Sequence, residues 1–338
     1  MRRYQGAVAA ALFSFAVVGV AQNYHVADRW KIGGQGGWDY LVSDDAAHRL
    51  YITHNARVEV IDSVTGKQVG AITGFKSTHG VALNPDGKTG YISDGAGNAI
   101  VVFDRAKLTT ITTVAAGTNP DGITFEPATK TVWAFNGRSK NVSVLDTASN
   151  TIVATIDLPG KPEFPQVDGH GSVFVNIEDT NAIVKLDASS RKAVATWQLD
   201  GCNSPSGMAI DHAQHRLFSV CDGGKMAVVD YSSGKLLGLA AIGNSPDAAG
   251  FDPKKKLAFS SNGSDGTLSV IDASKPGFPA IQNLKTAKGA RTMTLDSSTG
   301  RIYLVTAEFG AAPPATTASP HPRPTILPDS FEVLVVEK

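Results

Sequence analysis

A repeat close to 42 residues long constrains this chain more than any other feature. Apolar or nearly apolar triplets ending in aspartate recur at Val60-Ile61-Asp62, Val102-Phe103-Asp104, Val144-Leu145-Asp146, Lys185-Leu186-Asp187, Val228-Val229-Asp230 and Val270-Ile271-Asp272, with the aspartates spaced by 42, 42, 41, 43 and 42 residues. A second register agrees: an aromatic residue marks the middle of each unit at Tyr51, Tyr91, Trp133, Phe174, Phe218, Phe259 and Tyr303. Seven units result. Helical arrays of this period would show apolar positions at 3.6-residue spacing, whereas Val142-Ser143-Val144-Leu145 and Thr151-Ile152-Val153-Ala154-Thr155-Ile156 read as strands. The 34 glycines and 17 prolines also favour short elements joined by tight turns. The expected fold is all-β, a seven-bladed β-propeller of four-stranded blades.

The chain ends fit the same scheme. Trp30-Lys31-Ile32-Gly33-Gly34 looks like a last strand without its predecessors, and Val333-Leu334-Val335-Val336-Glu337 like a third strand without a fourth. Together they complete one blade, close the ring and remove exposed sheet edges. Residues 22–338 then form one propeller domain, with a proline-rich insertion at 310–330 in blade seven that emerges on the channel mouth. The insertion reads as a solvated loop or as a stiff cover over the channel.

Tyr51-Ile52-Thr53-His54, Tyr91-Ile92-Ser93-Asp94 and Phe259-Ser260-Ser261-Asn262 resemble the tyrosine-valine-threonine-asparagine repeat. Asn84-Pro85-Asp86-Gly87-Lys88 and Asp62-Ser63-Val64-Thr65-Gly66-Lys67 are similar to that family's hairpin turns. Over essentially its whole mature length the chain resembles the YVTN-repeat, YncE-like secreted β-propellers. The resemblance implies a binding scaffold and carries no shared catalytic motif.

Arg2-Arg3 followed by the apolar run from Gly6 to Ala21, with small residues at Gly19 and Ala21, predicts a cleaved signal peptide over residues 1–21. The run falls short of the roughly 20 residues that span a bilayer. A periplasmic or extracellular, soluble, monomeric protein is expected. The two cysteines, Cys202 and Cys221, flank the same rim of unit five and in an oxidising compartment read as a disulfide, ahead of a thiolate nucleophile or a metal pair. Lysine plus arginine (31) balance aspartate plus glutamate (31), so the basic footprint of a nucleic-acid binder is absent. Lys254-Lys255-Lys256 reads as a solubilising turn, and Gly33-Gly34-Gln35-Gly36-Gly37, with no helix after it, does not read as a phosphate loop.

Alignment on the mid-unit aromatic selects the candidate site. Twelve positions before it stand Asp39, His79, Asp121, Pro162, Ser206, Asp247 and Arg291, with Glu163 in place of Pro162 if unit four is one residue shorter there. Three positions after it stand His54, Asp94, Asn136, Ile177, Cys221, Asn262 and Thr306. Both sets are expected at one channel mouth. Gly80, Gly122, Gly207 and Ala248, directly after the first set, let the innermost strands approach the axis. The ligand-binding set is therefore Asp39, His54, His79, Asp94, Asp121, Asn136, Glu163, Ser206, Asp247, Asn262 and Arg291. Polar residues at a channel mouth also solvate strand ends, but so many carboxylates on one axis raise one another's pKa unless a cation neutralises them. Asp39, His79, Asp121 and Asp247 are the candidate metal ligands for calcium, magnesium or a transition metal. Arg291 offers a fork for a carboxylate or phosphate. The leading expectation is a non-enzymatic scaffold that needs no cofactor and recognises a small ligand, a cation or an envelope partner. The alternative is a metal-dependent enzyme of the propeller lactonase or lyase type, with His79 as acid or base.

Overall fold

The aspartates that end each repeat define the hairpins. Asp62 accepts hydrogen bonds from the backbone amides of Val64 and Thr65, Asp104 from those of Ala106 and Lys107, and Asp146, Asp187, Asp230 and Asp272 from equivalent turn amides. Bonding to the charged form holds these carboxyls below the usual carboxylate range. Each turn joins the third strand of a blade to its fourth. In blade three the four strands are Pro120–Glu126, Thr131–Asn136, Asn141–Asp146 and Thr151–Asp157, paired antiparallel in chain order. A computed structural model, which describes residues 23–314, 316, 322 and 324–338, contains seven such four-stranded sheets in a ring. The expected signal peptide lies outside the described residues, among which no helix is long and apolar enough to cross a membrane.

Each interface between neighbouring blades holds its own apolar cluster. Tyr51, Val58 and Val60 of blade one pack with Val81, Ile92 and Phe103 of blade two, and six further clusters repeat the arrangement round the ring. The mid-unit aromatics Tyr51, Tyr91, Trp133, Phe174, Phe218, Phe259 and Tyr303 are among the largest fully buried side chains. Burying one such side chain contributes about 1.5–3 kcal/mol, and each lies in an apolar cluster shared by two blades.

Six blades are contiguous in sequence, and the seventh is built from both ends of the chain. His25–Lys31 is its outermost strand and pairs antiparallel with Glu332–Glu337, from His25 opposite Glu337 to Lys31 opposite Glu332. The N-terminal strand thus lies earlier than the sequence pattern over Trp30–Gly34 suggests. Gly33 and Gly34 have φ of 75° and 92°, a left-handed conformation that turns the chain out of the sheet. Val26 and Trp30 are the half-buried residues of an otherwise exposed strand, and Trp30 packs on Tyr303 with ring centroids 5.7 Å apart. Within the insertion of blade seven, Gly310 donates to Thr325 and Leu327 to Glu308 at 2.8 and 2.9 Å, so its base continues as a short antiparallel ladder.

Close approach of the innermost strands rests on small residues. A Cβ at Gly122 would stand 2.5 Å from the Glu163 carbonyl oxygen, and one at Gly207 would stand 2.5 Å from the Ala248 Cα. Backbone cannot yield as a side chain can. Gly122→Ala is expected to lower stability by about 1–3 kcal/mol in urea denaturation. Deleting residues 331–338 should abolish the single cooperative thermal transition followed by circular dichroism, because blade one and blade six then face an incomplete neighbour. A truncated chain that melts as sharply as the full one would overturn the closure argument.

Candidate functional site

The innermost strands run from the channel mouth toward the opposite face, and each contributes one residue at its start. In blade four the ladder pairs Pro162 with Ile177, as Trp38 pairs with His54, Pro120 with Asn136 and Pro246 with Asn262. Glu163, the residue after Pro162, is therefore the equivalent of Asp39, Asp121 and Asp247. Asp39, His79, Asp121, Glu163, Ser206, Asp247 and Arg291 form one ring, one residue per blade. Their backbones are fixed from the neighbouring blades. Thr53 donates its hydroxyl to the His79 carbonyl at 2.9 Å, Ser93 donates to that of Asp121 at 2.6 Å, and Asn176 donates its amide to that of Ser206 at 2.7 Å. Ser261 donates likewise to Arg291, and Thr292 to Asp39 at 2.8 Å. The hydroxyl of the repeated motif thus reaches across to set the next blade's ring residue.

Around the ring, His79 Nδ1 lies 2.6 Å from Asp39 Oδ2 and 3.7 Å from Asp121 Oδ1. One ligand atom each from Asp39, His79 and Asp121 lie within 4.8 Å of one another. Arg291 Nε donates to Asp247 at 2.8 Å and its Nη2 to the Trp38 carbonyl at 2.8 Å, with Asp39 at 4.0 Å and the guanidinium over the Trp38 ring. Asp247 thus pairs with Arg291 and stands outside the Asp39–His79–Asp121 group. Ser206 is turned to the Pro246 carbonyl at 2.9 Å. Lys161, which the repeat alignment did not single out, bonds Glu163 at 2.5 Å and also Glu178.

Burial raises the carboxyls. Asp121 is pushed up to about 7 by burial and by Asp39, against the pull of His79. Glu163 rises to about 9 through burial and Asp121, with Lys161 opposing, and Asp247 to about 6 through burial and Asp39, with Arg291 opposing. Burial works against a charge on His79, but the hydrogen bond to Asp39 and the fields of Asp121, Asp39 and Glu163 outweigh it and carry the imidazole to about 9.

Four of the expected site residues are placed elsewhere. His54, Asp94, Asn136 and Asn262 are buried, and each sits opposite the residue before the ring position rather than opposite the ring residue itself. Consecutive strand residues face opposite sides, so the pleat directs these side chains between blades. His54 stacks on Phe331 at 4.2 Å and faces Glu59. Asp94 accepts the Lys76, Ser77 and Gly97 amides. Asn136 and Asn262 donate to Ser143 and Ser269 in the neighbouring strand. Asp94 holds a loop, and His54, Asn136 and Asn262 bond partners within their own sheets. Cys202 and Cys221 are joined as a disulfide with Cα atoms 5.4 Å apart, bracing the loop that carries Ser206.

Two residues the alignment passed over close the site from below. Tyr40 and Phe164 occupy the positions that Gly80 and Gly122 hold in the two blades between them, and their rings meet edge to face at 4.9 Å. Tyr40 follows Asp39 in the innermost strand and is buried, and burial together with the fields of Asp247, Glu163, Asp121 and Asp39 drives its phenol well above its ordinary pKa. The signal was present in the sequence: large aromatics where the other five units have Gly80, Gly122, Gly207, Ala248 and Thr292.

The family described as the SMP-30/Gluconolactonase/LRE-like region matches residues 44–167, a stretch that includes His79, Asp121 and Glu163. Comparison with curated proteins finds no match. Among solved structures, the chain is similar to hydrazine synthase from Kuenenia stuttgartiensis (15% identity, 79% of this chain and 92% of that one, TM-score 0.68). It is also similar to the WD40 repeats of RRP9 (12% identity, 94% and 99%, TM-score 0.77) and to U3-55K (11% identity, 92% and 99%, TM-score 0.75). At these identities the likeness is one of fold.

His79 provides the direct test of this electrostatic arrangement. Its folded pKa of about 9 exceeds the ordinary 6.5, so the stability it contributes is complete below about 6.5 and is lost as pH rises through 9. Asp121, Glu163 and Asp247, also raised, act with the same sign. In chelator-treated protein the His79 ring should titrate near 9 by NMR and lower in Asp39→Asn. The thermal midpoint should fall by at least a few degrees between pH 6 and pH 9.5.

Proposed function

We propose that this chain is an exported, monomeric, YVTN/YncE-like propeller scaffold, periplasmic or extracellular, that binds a divalent cation at its channel mouth without turning over a substrate. The observation that carries the reading is the convergence of Asp39, His79 and Asp121, whose ligand atoms lie within 4.8 Å of one another on three adjacent blades. Two carboxylates and an imidazole make a donor set that suits a transition metal, and the two carboxylates by themselves would suit calcium. The mouth's own cations favour this over an anionic ligand. Arg291 is engaged by Asp247 and the Trp38 carbonyl, and Lys161 by Glu163 and Glu178, so neither offers the fork that a carboxylate or phosphate would need. The disulfide supports an oxidising compartment, and the ring facing the mouth supports recognition of a small ligand or an envelope partner there.

A second reading, a lactone hydrolase, is favoured by the family match over residues 44–167 and by Glu163, whose carboxyl is pushed up to about 9 by burial and Asp121 against the pull of Lys161. A divalent cation there would polarise the carbonyl oxygen of a bound lactone. Water entering from the mouth would add to the carbonyl carbon, Glu163 would protonate the ring oxygen as its bond to that carbon breaks, and the proton lost by the water would restore Glu163, giving the open hydroxy acid.

Elemental analysis of the untagged mature protein, purified without chelators beside an Asp39→Asn, Asp121→Asn double variant, tests both readings. Near-stoichiometric metal in the first and at least about tenfold less in the second is expected. Equal metal in both, or none in a folded wild-type chain, would sink the cation site. If metal is bound, hydrolysis of aldonolactones that depends on Glu163 and is lost in Glu163→Gln would establish the second reading over the first.

A further inference from the structure

The contact between Tyr40 and Phe164 divides the channel in two. It bridges blades one and four, with ring centroids 4.9 Å apart. Above lies the charged ring. Below lies a cavity of about 380 Å³ whose roof is this aromatic pair and whose lower rim carries Pro85 and Pro127, which follow the ends of the innermost strands at the opposite face. The volume falls in the range of about 300–1,000 Å³ typical of small-molecule sites.

Its walls differ in chemistry from the mouth. Val81, Leu83, Ile123, Phe125 and Val167 line it, and among the described residues no carboxylate, lysine, arginine or histidine does. Leu83, Phe125, Phe164 and Val167 are only half-buried, in contrast to the fully buried aromatics between blades. Apolar surface is left facing the cavity. Two polar atoms stand on the same wall without a protein partner among the described residues. Gln166 donates its Nε2 to the Met208 carbonyl at 2.8 Å, which fixes the amide and leaves Oε1 as an acceptor, and the Thr124 hydroxyl has no bond of its own. An apolar cavity with one or two placed polar groups selects a ligand by shape and by a single directed hydrogen bond.

We propose that this lower chamber is a second ligand site, separate from the charged mouth, and that it takes a compact apolar ring molecule carrying one hydrogen-bond donor. The ligand enters from the face opposite the mouth, and Tyr40 with Phe164 prevents its passage to the ring. The site is independent of any cation bound above.

Indole is the probe, titrated calorimetrically into the mature full-length chain, with N-methylindole as the analogue that lacks the donor. One saturable site is expected, with N-methylindole about fivefold weaker through loss of the hydrogen bond. Leu83→Trp and Val167→Phe fill the chamber from blades two and four, and each folded variant should bind indole at least about tenfold more weakly. Saturating calcium should leave indole affinity unchanged. Methyl NMR of the unsubstituted chain locates the site without any variant, with indole-induced shifts confined to Val81, Leu83, Ile123 and Val167. Absence of saturable binding, retention of affinity in a folded filled variant, competition by calcium, or shifts at the outer strands instead would each overturn the proposal.

Discussion

No blade of this propeller buries its apolar surface alone, so the structure depends on each blade having a neighbour on both sides. The pairing of His25–Lys31 with Glu332–Glu337 supplies the last neighbour. With it, the apolar cluster between blades six and seven and the one between blades seven and one are both complete. Closure of this kind converts seven marginal sheets into one cooperative unit, because an apolar face exposed anywhere in the ring lacks the burial that offsets the entropy of ordering it.

The same closure builds the channel mouth. Ring residues sit at the starts of the innermost strands, and hydroxyl or amide groups from adjoining blades hold their carbonyls, Thr53 on His79, Ser93 on Asp121 and Asn176 on Ser206. The bonds that fix blade against blade therefore also fix Asp39, His79 and Asp121 at ligand spacing. Crowding follows from the architecture. Seven strands converging on one axis bring carboxyls into each other's field, and burial together with that field pushes Asp121, Glu163 and Asp247 upward. His79, Arg291 and Lys161 offset part of that charge, and a bound cation would offset more.

Much of this was legible in residue order. The period near 42, the buried aromatic in each unit and the aspartate turns led directly to seven four-stranded blades, and the ring residues of six blades stood at one offset from the aromatic. Blade four was ambiguous by a residue. The ladder resolves it, since Pro162 pairs with Ile177 and Glu163 follows. The second set of candidates was misplaced for a different reason. His54, Asp94, Asn136 and Asn262 do end their strands near the mouth, but each pairs with the residue before the ring position and is buried, Asp94 on loop amides and the others on side chains of their own sheets. Tyr40 and Phe164 were overlooked because attention to a repeat favours positions that agree, and these two matter by departing from the glycine beside them in space.

Sequence alone determined the blade count, the strand order within each blade, the turns and the rim from which the ring residues come. All of these follow from local periodicity, and periodicity is a property of residue order. Tertiary structure alone decided which side chains meet across the axis: the Asp39–His79–Asp121 group, the engagement of Arg291 by Asp247 beside Asp39, and the contact of Tyr40 with Phe164 between the charged mouth and the apolar cavity. Those contacts join residues 40 to 252 positions apart, and their distances depend on how far seven innermost strands can close on one another. Backbone sterics at Gly122 and Gly207 set that limit, and no pattern within a single repeat encodes it.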